Sequence, residues 1–347
     1  MSATSVVVVG GGVSGLATAY LIKRKRPELN VTVLEKNPEP GGKTRSGKVD
    51  GYTVDWGPNG FLTNVPETLE LATSLGLKSI LQRAADSAKQ RFLYKDGGLR
   101  ALPASPLTLL KSELLSPLAK LRAAAEVFVK PGGEEETVFD FVARRFGVAF
   151  ADAFAGPMVL GITSGDAREV SLDALFARVR QMEAQHGSLI RALIHAQREA
   201  KAQGKRGDGR LTSFATGGVQ RLVDALSDSL GTALKTGVSV NSLTRQAGGG
   251  YRLTLESAGA AAGELAAGAV VLATPAFVSA ALLEPFVPEA SAELKAIAYA
   301  DVQVYGLGYD RTDVPRALDG FGFLVPRGQG LRSLGVLYSS SIFPDQA

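Results

Sequence analysis

The sequence predicts an α/β protein assembled from two interleaved parts, one built on a parallel sheet and one an α+β part that combines a helical block with an antiparallel sheet. Three observations carry this. Near the N-terminus a valine run flows into glycines, then into residues at helical spacing, then into a second β-branched run. The middle of the chain, about residues 65–203, is patterned largely for helices, and strand-like runs return only after it. One of those later runs, Ala269-Val270-Val271-Leu272-Ala273, is apolar throughout, as a central strand covered on both faces is. A length of 347 residues, at roughly 100–200 residues per domain, suits two domains.

The elements follow in order. Residues 5–10 make the first strand, and Leu16, Ala19, Tyr20 and Ile22 set a helix that stops before Pro27. Val31-Thr32-Val33-Leu34-Glu35 is the second strand, so residues 6–35 form a compact β-α-β unit with a right-handed parallel crossover. Pro66-Glu67-Thr68-Leu69 opens a further helix, and residues 171–203 read as one long amphipathic stretch ending at Gly204. The polar link Gly204-Lys205-Arg206-Gly207-Asp208-Gly209-Arg210 marks a boundary. Strands are then expected at residues 238–243, 251–256 and 269–273, separated by Gly248-Gly249-Gly250 and the Ala/Gly segment 258–268. Beyond Pro288 a helix precedes the alternating Val302-Gln303-Val304-Tyr305, which predicts a sheet, and residues 334–338 predict another strand.

Composition narrows the function. Apolar residues are 45% and charged residues 21%, ordinary for a globular chain with a sizeable core. A net charge of +4 with scattered basic residues gives no nucleic-acid footprint, while a small acidic ligand is compatible. The one dense basic run, Lys23-Arg24-Lys25-Arg26, reads as the solvated C-terminal end of the first helix. The chain has no cysteine, which excludes disulfides, thiolate metal sites, a cysteine nucleophile and a cysteinyl-linked cofactor, and agrees with a cytoplasmic setting. His186 and His195 lie in a polar helical stretch, and no metal site is expected. No apolar run reaches the ~20 residues of a membrane span, and no basic leader precedes the first strand.

Gly10-Gly11-Gly12-Val13-Ser14-Gly15 satisfies G-x-G-x-x-G directly after a strand and at the opening of a helix. In that context Gly10 permits the tight turn, Gly12 lets backbone approach a pyrophosphate, and Gly15 allows close packing of helix on strand, while the helix N-terminus offers N–H groups to the anion. Glu35 lies 20 residues past Gly15, where a carboxylate accepts hydrogen bonds from a ribose hydroxyl pair. Turn, helix, strand and acid together predict dinucleotide binding, with FAD and NAD both admissible on this motif alone.

The segment Glu35-Lys36-Asn37-Pro38-Glu39-Pro40-Gly41-Gly42-Lys43-Thr44-Arg45 resembles the second signature of the amine-oxidase-like flavoproteins. The resemblance implies non-covalent FAD. Gly42 lets backbone pass near the cofactor, and Lys43 and Arg45 place cations near its diphosphate. Later segments resemble the protoporphyrinogen oxidase family. Asp55-Trp56-Gly57-Pro58-Asn59-Gly60-Phe61-Leu62 is similar to its G-P-x-x-F element near the flavin. Arg91-Phe92-Leu93-Tyr94, the run Gly161-Ile162-Thr163-Ser164-Gly165-Asp166 with Val170-Ser171, Glu183 followed by Ser188-Leu189-Ile190, and Gly320-Phe321-Gly322-Phe323-Leu324-Val325-Pro326 extend the likeness over nearly the whole chain.

That resemblance implies a Rossmann-type FAD-binding domain from residues 1–75 and 210–280, a helical substrate or membrane-facing domain from 76–209, and an incomplete substrate-domain sheet from 281–347. The expected cofactor contacts are Gly10, Gly11, Gly12, Val13, Ser14, Gly15, Glu35, Lys36, Gly42, Lys43, Arg45, Gly57, Pro58, Asn59, Gly60, Val240 and Thr274. Arg91 matches an arginine facing a substrate propionate, a role suited to a bidentate guanidinium. Gly161 matches a position whose backbone lies beside the tetrapyrrole, although Thr163 stands where the family commonly has an aromatic residue. The implied reaction is the six-electron oxidation of protoporphyrinogen IX to protoporphyrin IX, with oxygen as acceptor. The protein then supplies position and a dry pocket while the flavin carries the redox step, so no catalytic residue is assigned.

The family also implies peripheral membrane contact, for which residues 107–110 with Leu107, Leu109 and Leu110, then Leu114, Leu115 and Leu118, are the candidates. Family members continue into a further glycine-containing flavin motif, so the chain is expected to be a C-terminally truncated form whose own activity is in question. Coproporphyrinogen III oxidation, amine oxidation or desaturation, and an inactive dinucleotide-binding fragment stay open as alternatives. Oligomeric state is not legible.

Overall fold

Four consecutive valines fill β1 (Ser5–Val9), and all four are buried. β-branched side chains suit a strand covered on both faces, which is why the run does not alternate. The computed structural model describes residues 5–133, 135–202 and 209–346. In it the chain leaves β1 into α1 (Val13–Lys25) and returns in β2 (Asn30–Glu35), parallel to β1 with Val7 opposite Thr32. Leu16 and Ala19 of α1 are fully buried and pack with Val6, Val8, Val31 and Val33. Lys23, Arg24 and Lys25 occupy the last turn, at the negative pole of the helix.

An antiparallel hairpin follows, β3 (Ser46–Val49) with β4 (Tyr52–Asp55). After β5 (Phe61–Leu62), α2 (Pro66–Ser74) and β6 (Leu81–Arg83) come β7 (Phe92–Lys95) and β8 (Gly98–Ala101), a second hairpin inside the stretch expected to be largely helical. The helical block runs through α3 (Pro106–Lys111), α4 (Pro117–Ala124), α5 (Val138–Phe146), α6 (Val148–Phe150), a wider π-type turn at Ala151–Ala155, and α7 (Gly156–Thr163). The stretch expected as one long helix over 171–203 is two, α8 (Leu172–His186) and α9 (Leu189–Ala202), because Gly187 turns the chain at φ +68°. Most of the link at 204–210 lies outside the described residues.

β9 (Leu211–Phe214) pairs antiparallel with both β5 and β6. Then α10 (Gln220–Leu230) leads to β10 (Leu234–Thr236), which lies parallel to β2 on the side away from β1. β11 (Val238–Arg245), β12 (Tyr251–Ser257) and β13 (Ala260–Ala267) form an antiparallel meander. β13 corrects the expectation that the Ala/Gly segment merely separates strands. Weak strand propensity is overridden there by a partner whose register, Leu253 opposite Leu265, supplies the ladder. β14 (Ala269–Leu272) closes the parallel sheet beside β1, giving the order β10-β2-β1-β14.

The chain continues through α11 (Ala276–Leu283) and α12 (Pro288–Lys295). Val302-Gln303-Val304-Tyr305, expected as a strand, has no regular structure; the segment runs past β4, with Gly306 close to Val54 and Gly308 close to Tyr52, but forms no ladder. Alternation fixes faces, whereas a strand also needs a partner for its backbone, and among the described residues none pairs with this segment. β15 (Gly322–Leu324), β16 (Gly335–Leu337) and α13 (Ser339–Ile342) complete the order; β15 lies parallel to β7 and antiparallel to β16, making a four-stranded mixed sheet β16-β15-β7-β8.

Among the described residues no helix is long and apolar enough to cross a membrane. Of the six leucines expected on a membrane-facing surface, Leu114 and Leu115 are buried at 5% exposure and belong to the interior and Leu109 is half-buried, whereas Leu107, Leu110 and Leu118 are exposed.

Candidate functional site

The reversal from β1 into α1 takes place in three glycines, and two physical demands fix them. Gly10 adopts φ +108°, and a Cβ there would lie 2.6 Å from the Ala273 carbonyl at the end of β14. A Cβ on Gly15 would lie 2.0 Å from the Gly10 carbonyl, and one on Gly11 2.6 Å from the Glu35 Cβ. Gly12 is different, with no atom of the described residues within 4 Å of the Cβ it lacks. Packing therefore demands glycine at 10, 11 and 15, while Gly12 borders open space. The N-terminus of α1 fronts that space with no side-chain cap and no acidic residue in its first turn. The N–H groups of Val13 and Ser14, in the first turn, have no intrahelical acceptor.

Glu35 ends β2 and is 5% exposed. Its Oε2 accepts the Gly11 N–H at 2.7 Å, and its Oε1 accepts the backbone N–H and side-chain amide of Asn37, each at 2.8 Å. A carboxylate has about four acceptor positions, so Oε2 keeps one for a further donor. The second glycine pair folds directly onto the first: Gly41 N–H donates to the Gly11 carbonyl at 2.7 Å, and a Cβ on Gly42 would come within 3.3 Å of the Gly12 Cα.

Around this joint, Gly57 is pressed against the Lys43 carbonyl and Gly60 against the Thr212 carbonyl, with missing Cβ positions 1.9 and 2.6 Å away. Between them Asn59 buries an amide Nδ2 with no acceptor among the described residues, while Pro58 is exposed. A buried donor left unpaired costs about 1–3 kcal/mol, so Asn59 points to an acceptor supplied by a bound group. Thr274 brings its methyl within 3.3 Å of the Gly10 Cβ position and bonds its hydroxyl to Ser279 at 2.8 Å. Val240 packs against the core cluster that includes Val9 and Leu34, and the β11 ladder shifts register immediately after it. Lys43 holds its ammonium 5.5 Å over the Tyr299 ring, Lys36 is exposed, and Arg45 pairs with Glu39 beside α10. The open space before α1, the acceptor left on Glu35 and the orphaned Asn59 amide fit the diphosphate and ribose of a dinucleotide.

Sequence reasoning missed the element that supports this loop from behind. Gly217 and Gly218 both take positive φ, and a Cβ on Gly218 would meet the Asp55 carboxylate and the Ser46 hydroxyl at 2.7 Å. Ser46 donates to Asp55, whose pKa is raised by burial and pulled back in part by that bond. Val223 of α10 comes within 3.1 Å of the Gly41 Cβ position. The signal was present as a glycine doublet just before an amphipathic run.

Arg91 and Gly161 meet the same short stretch from different elements, Phe321 just before β15 and Leu324 at its end. Arg91 precedes β7, is exposed, and lays its guanidinium 4.9 Å over the Phe321 ring. Gly161 lies in α7, where a Cβ would reach the two Leu324 methyls at 3.0 and 3.1 Å. β15 connects the two, with Leu324 in register with Leu93 of β7. Thr163 is engaged locally, donating to the Val159 carbonyl at 3.0 Å and accepting the Gly165 N–H at 3.1 Å at the end of α7.

Glu183 and Ser188 hold helices together. Arg145 is completely buried; its guanidinium donates to Glu126, to Glu183 at 3.0 Å, and to the carbonyls of Val129 and Gly187. Ser188 donates to the other Glu126 oxygen. Burial alone would raise the Glu126 pKa, but the Ser188 hydroxyl, the Leu189 N–H and Arg145 outweigh it and hold the group below its ordinary value.

Comparison with known proteins places this geometry. The family model for flavin containing amine oxidoreductase matches residues 13–347. The chain is 34% identical to the chloroplastic protoporphyrinogen oxidase of Oryza sativa subsp. japonica, covering 98% of the chain and 67% of that protein. It is 32% identical to the protoporphyrinogen oxidase of Homo sapiens, covering 99% of the chain and 74% of that protein. The chain thus spans about two thirds to three quarters of the length of these relatives. Among solved structures, an Exiguobacterium sp. 255-15 protein named for protoporphyrinogen oxidase superposes with a TM-score of 0.79 at 23% identity, over 100% of this chain and 75% of that one. The cyclohexylamine oxidase of Brevibacterium oxydans superposes with a TM-score of 0.57 at 20% identity, over 84% and 63%. At these identities the structures speak to the fold, and the family model speaks to the lineage: the chain belongs to the flavin-containing amine oxidoreductase family.

Proposed function

We propose that this chain is an FAD-dependent oxidase that converts protoporphyrinogen IX to protoporphyrin IX. The rice and human relatives are named for that reaction. The observation that carries the substrate assignment is the convergence of Arg91 and Gly161 on the stretch from Phe321 to Leu324, a cation at one end and bare backbone at the other.

When bound, FAD supplies the redox chemistry as hydride acceptor; the chain's own part is positional. Gly12, Val13 and Ser14 receive the diphosphate at the head of α1, and Glu35 accepts from the ribose. Gly10, Gly11, Gly15 and Gly42 keep the two loops close enough to do this, with Lys36, Lys43 and Arg45 as nearby cations. Gly57, Pro58, Asn59 and Gly60 run along the cofactor, Asn59 donating its free amide, and Val240 and Thr274 contribute from the returning strands. Arg91, held over the Phe321 ring, takes a propionate carboxylate. Gly161 and Leu324 offer the flat apolar surface a macrocycle needs. Residues 1–75 with 210–280 act as the FAD-binding domain, and 76–209 with 281–347 as the substrate domain.

Oxygen is the proposed electron acceptor. Leu107, Leu110, Leu118, Leu121 and Phe128 are each 63–83% exposed in the helical block and form the proposed membrane-contact surface. The test is aerobic: the FAD-loaded chain is given protoporphyrinogen IX while porphyrin fluorescence and oxygen are followed together. Porphyrin formed in step with oxygen uptake, and lost in Gly12→Ala, supports the reading; porphyrin formed at the rate of the protein-free control sinks it.

A further inference from the structure

A cavity of about 540 Å³ lies between β7, the helical segment through α6 and α7, and the loop after β15. Its origin is legible in residue size. Ala149, Asp152, Ala153, Gly156, Pro157 and Leu160 fall on one face of that segment, and the small ones hold the helix surface away from Leu93 and Lys95. A π-type turn at Ala151–Ala155 widens the helix at this point, a distortion that recurs at functional sites. The loop over the opening is pinned, since Gln329 accepts the Asp96 N–H at 2.9 Å.

The lining has two chemistries. Leu93, Leu160, Phe139 and Pro326 make an apolar interior, and three cations, Lys95, Arg168 and Arg327, stand against two carboxylates, Asp152 and Asp166. Arg168 is already engaged, stacked 3.4 Å over Phe139 and bonded to Asp152 at 2.8 Å. Arg327 reaches Asp166 only at 3.8 Å, and Lys95 has no carboxylate partner among the described residues. The volume falls within the roughly 300–1,000 Å³ of small-molecule sites. None of the residues assigned to the cofactor, nor Arg91 or Gly161, lines it.

We propose that this cavity is a second ligand site, separate from the oxidation site, that takes an apolar carboxylate: the hydrocarbon body lies against Leu93, Leu160 and Pro326, and the carboxylate meets Lys95 and Arg327. Two sources share that chemistry, a fatty acid and a carboxylated tetrapyrrole. The inference needs no turnover and stands or falls apart from the proposed activity.

The test is equilibrium binding to the FAD-loaded full chain, with oleate and protoporphyrin IX as probes, each beside its methyl ester. Wild type, Lys95→Gln/Arg327→Gln, Ala153→Phe and Arg91→Ala are compared, with the flavin spectrum and circular dichroism certifying each fold. Saturable binding of at least one acid is expected at a site that survives Arg91→Ala; binding at that site is weakened about tenfold for each cation removed and abolished by filling the cavity with Ala153→Phe, whereas Arg91→Ala weakens only protoporphyrin held at the oxidation site. Oleate binding that Ala153→Phe abolishes identifies a lipid source, and protoporphyrin binding that Ala153→Phe abolishes and Arg91→Ala spares identifies a tetrapyrrole source. The proposal is overturned if neither acid binds, if the esters bind as tightly as the acids, or if the losses occur in Arg91→Ala and not in the cavity variants.

Discussion

The guanidinium of Arg91 lies 4.9 Å over the ring of Phe321, so an aromatic face holds it in place before any ligand arrives. A guanidinium held this way loses less freedom on gripping a carboxylate than one free in solvent, and Phe321 sits three residues before the leucine that packs on Gly161.

Arg91→Ala is expected to lower kcat/KM for protoporphyrinogen by roughly 10- to 100-fold, mostly through KM, with the flavin spectrum unchanged. Arg91→Lys recovers little, because a point charge cannot replace a stacked fork. Phe321→Leu is predicted to fall between, by a few-fold. Steady-state kinetics on the four proteins checks the order.

Substitutions at Gly161 divide by size. The missing Cβ has 3.0 Å to the Leu324 methyls, a contact that a flexible leucine end can relieve by a small shift. Gly161→Ala should keep FAD and lose a few-fold in activity, whereas Gly161→Val should keep FAD and lose far more. Adding Leu324→Ala should restore part of the loss in Gly161→Ala, and a double-mutant cycle on kcat/KM reads it directly.

The glycine turn separates packing from binding. Gly15→Ala places a methyl 2.0 Å from the Gly10 carbonyl and is expected to lower the melting temperature of the FAD-free chain. Gly12→Ala meets nothing within 4 Å and should leave that temperature within about a degree while weakening FAD at least tenfold. Thermal unfolding with and without FAD distinguishes the two.

How much of this was readable in advance follows from what each residue is used for. The valine strand, the glycine turn and Glu35 were legible because local chemistry alone dictates them. The partner of Arg91 was not, since Phe321 lies 230 residues away and only the β7–β15 pairing brings it near. The Ala/Gly strand Ala260–Ala267 was hidden by weak propensity, and the 302–305 segment was over-read because alternation says nothing about a backbone partner. Glu183 and Ser188 resembled a family signature, but the buried Arg145 that explains them sits on another helix.

That buried cluster sets a stability prediction. Glu126→Gln or Arg145→Met leaves a buried group uncompensated and should cost about 3–5 kcal/mol by denaturant unfolding. Glu126 and Glu136 both titrate below the ordinary glutamate value of 4.5, Glu126 because its hydrogen bonds outweigh burial and Glu136 chiefly through Arg144. Their contribution is therefore complete above that value and lost as pH falls from it through the depressed folded pKa. Asp55, raised by burial, works oppositely: its ionisation costs stability, and that cost disappears on acidification. Unfolding measured as a function of pH should show net acid lability that Glu126→Gln flattens.

Leu118→Glu with Phe128→Glu should reduce co-sedimentation with phospholipid vesicles severalfold while activity on detergent-dispersed substrate persists. The two side chains are 77% and 83% exposed, so the fold has no stake in their apolarity.

The most direct test is anaerobic. The FAD-loaded chain is mixed with protoporphyrinogen IX, and oxidised-flavin absorbance is followed beside porphyrin fluorescence, with coproporphyrinogen III in a parallel reaction. The predicted result is bleaching of the flavin by protoporphyrinogen, in step with the reaction and at least tenfold faster than by coproporphyrinogen, slowed in Arg91→Ala. A flavin that stays oxidised with protoporphyrinogen, or bleaches faster with coproporphyrinogen, contradicts the assignment.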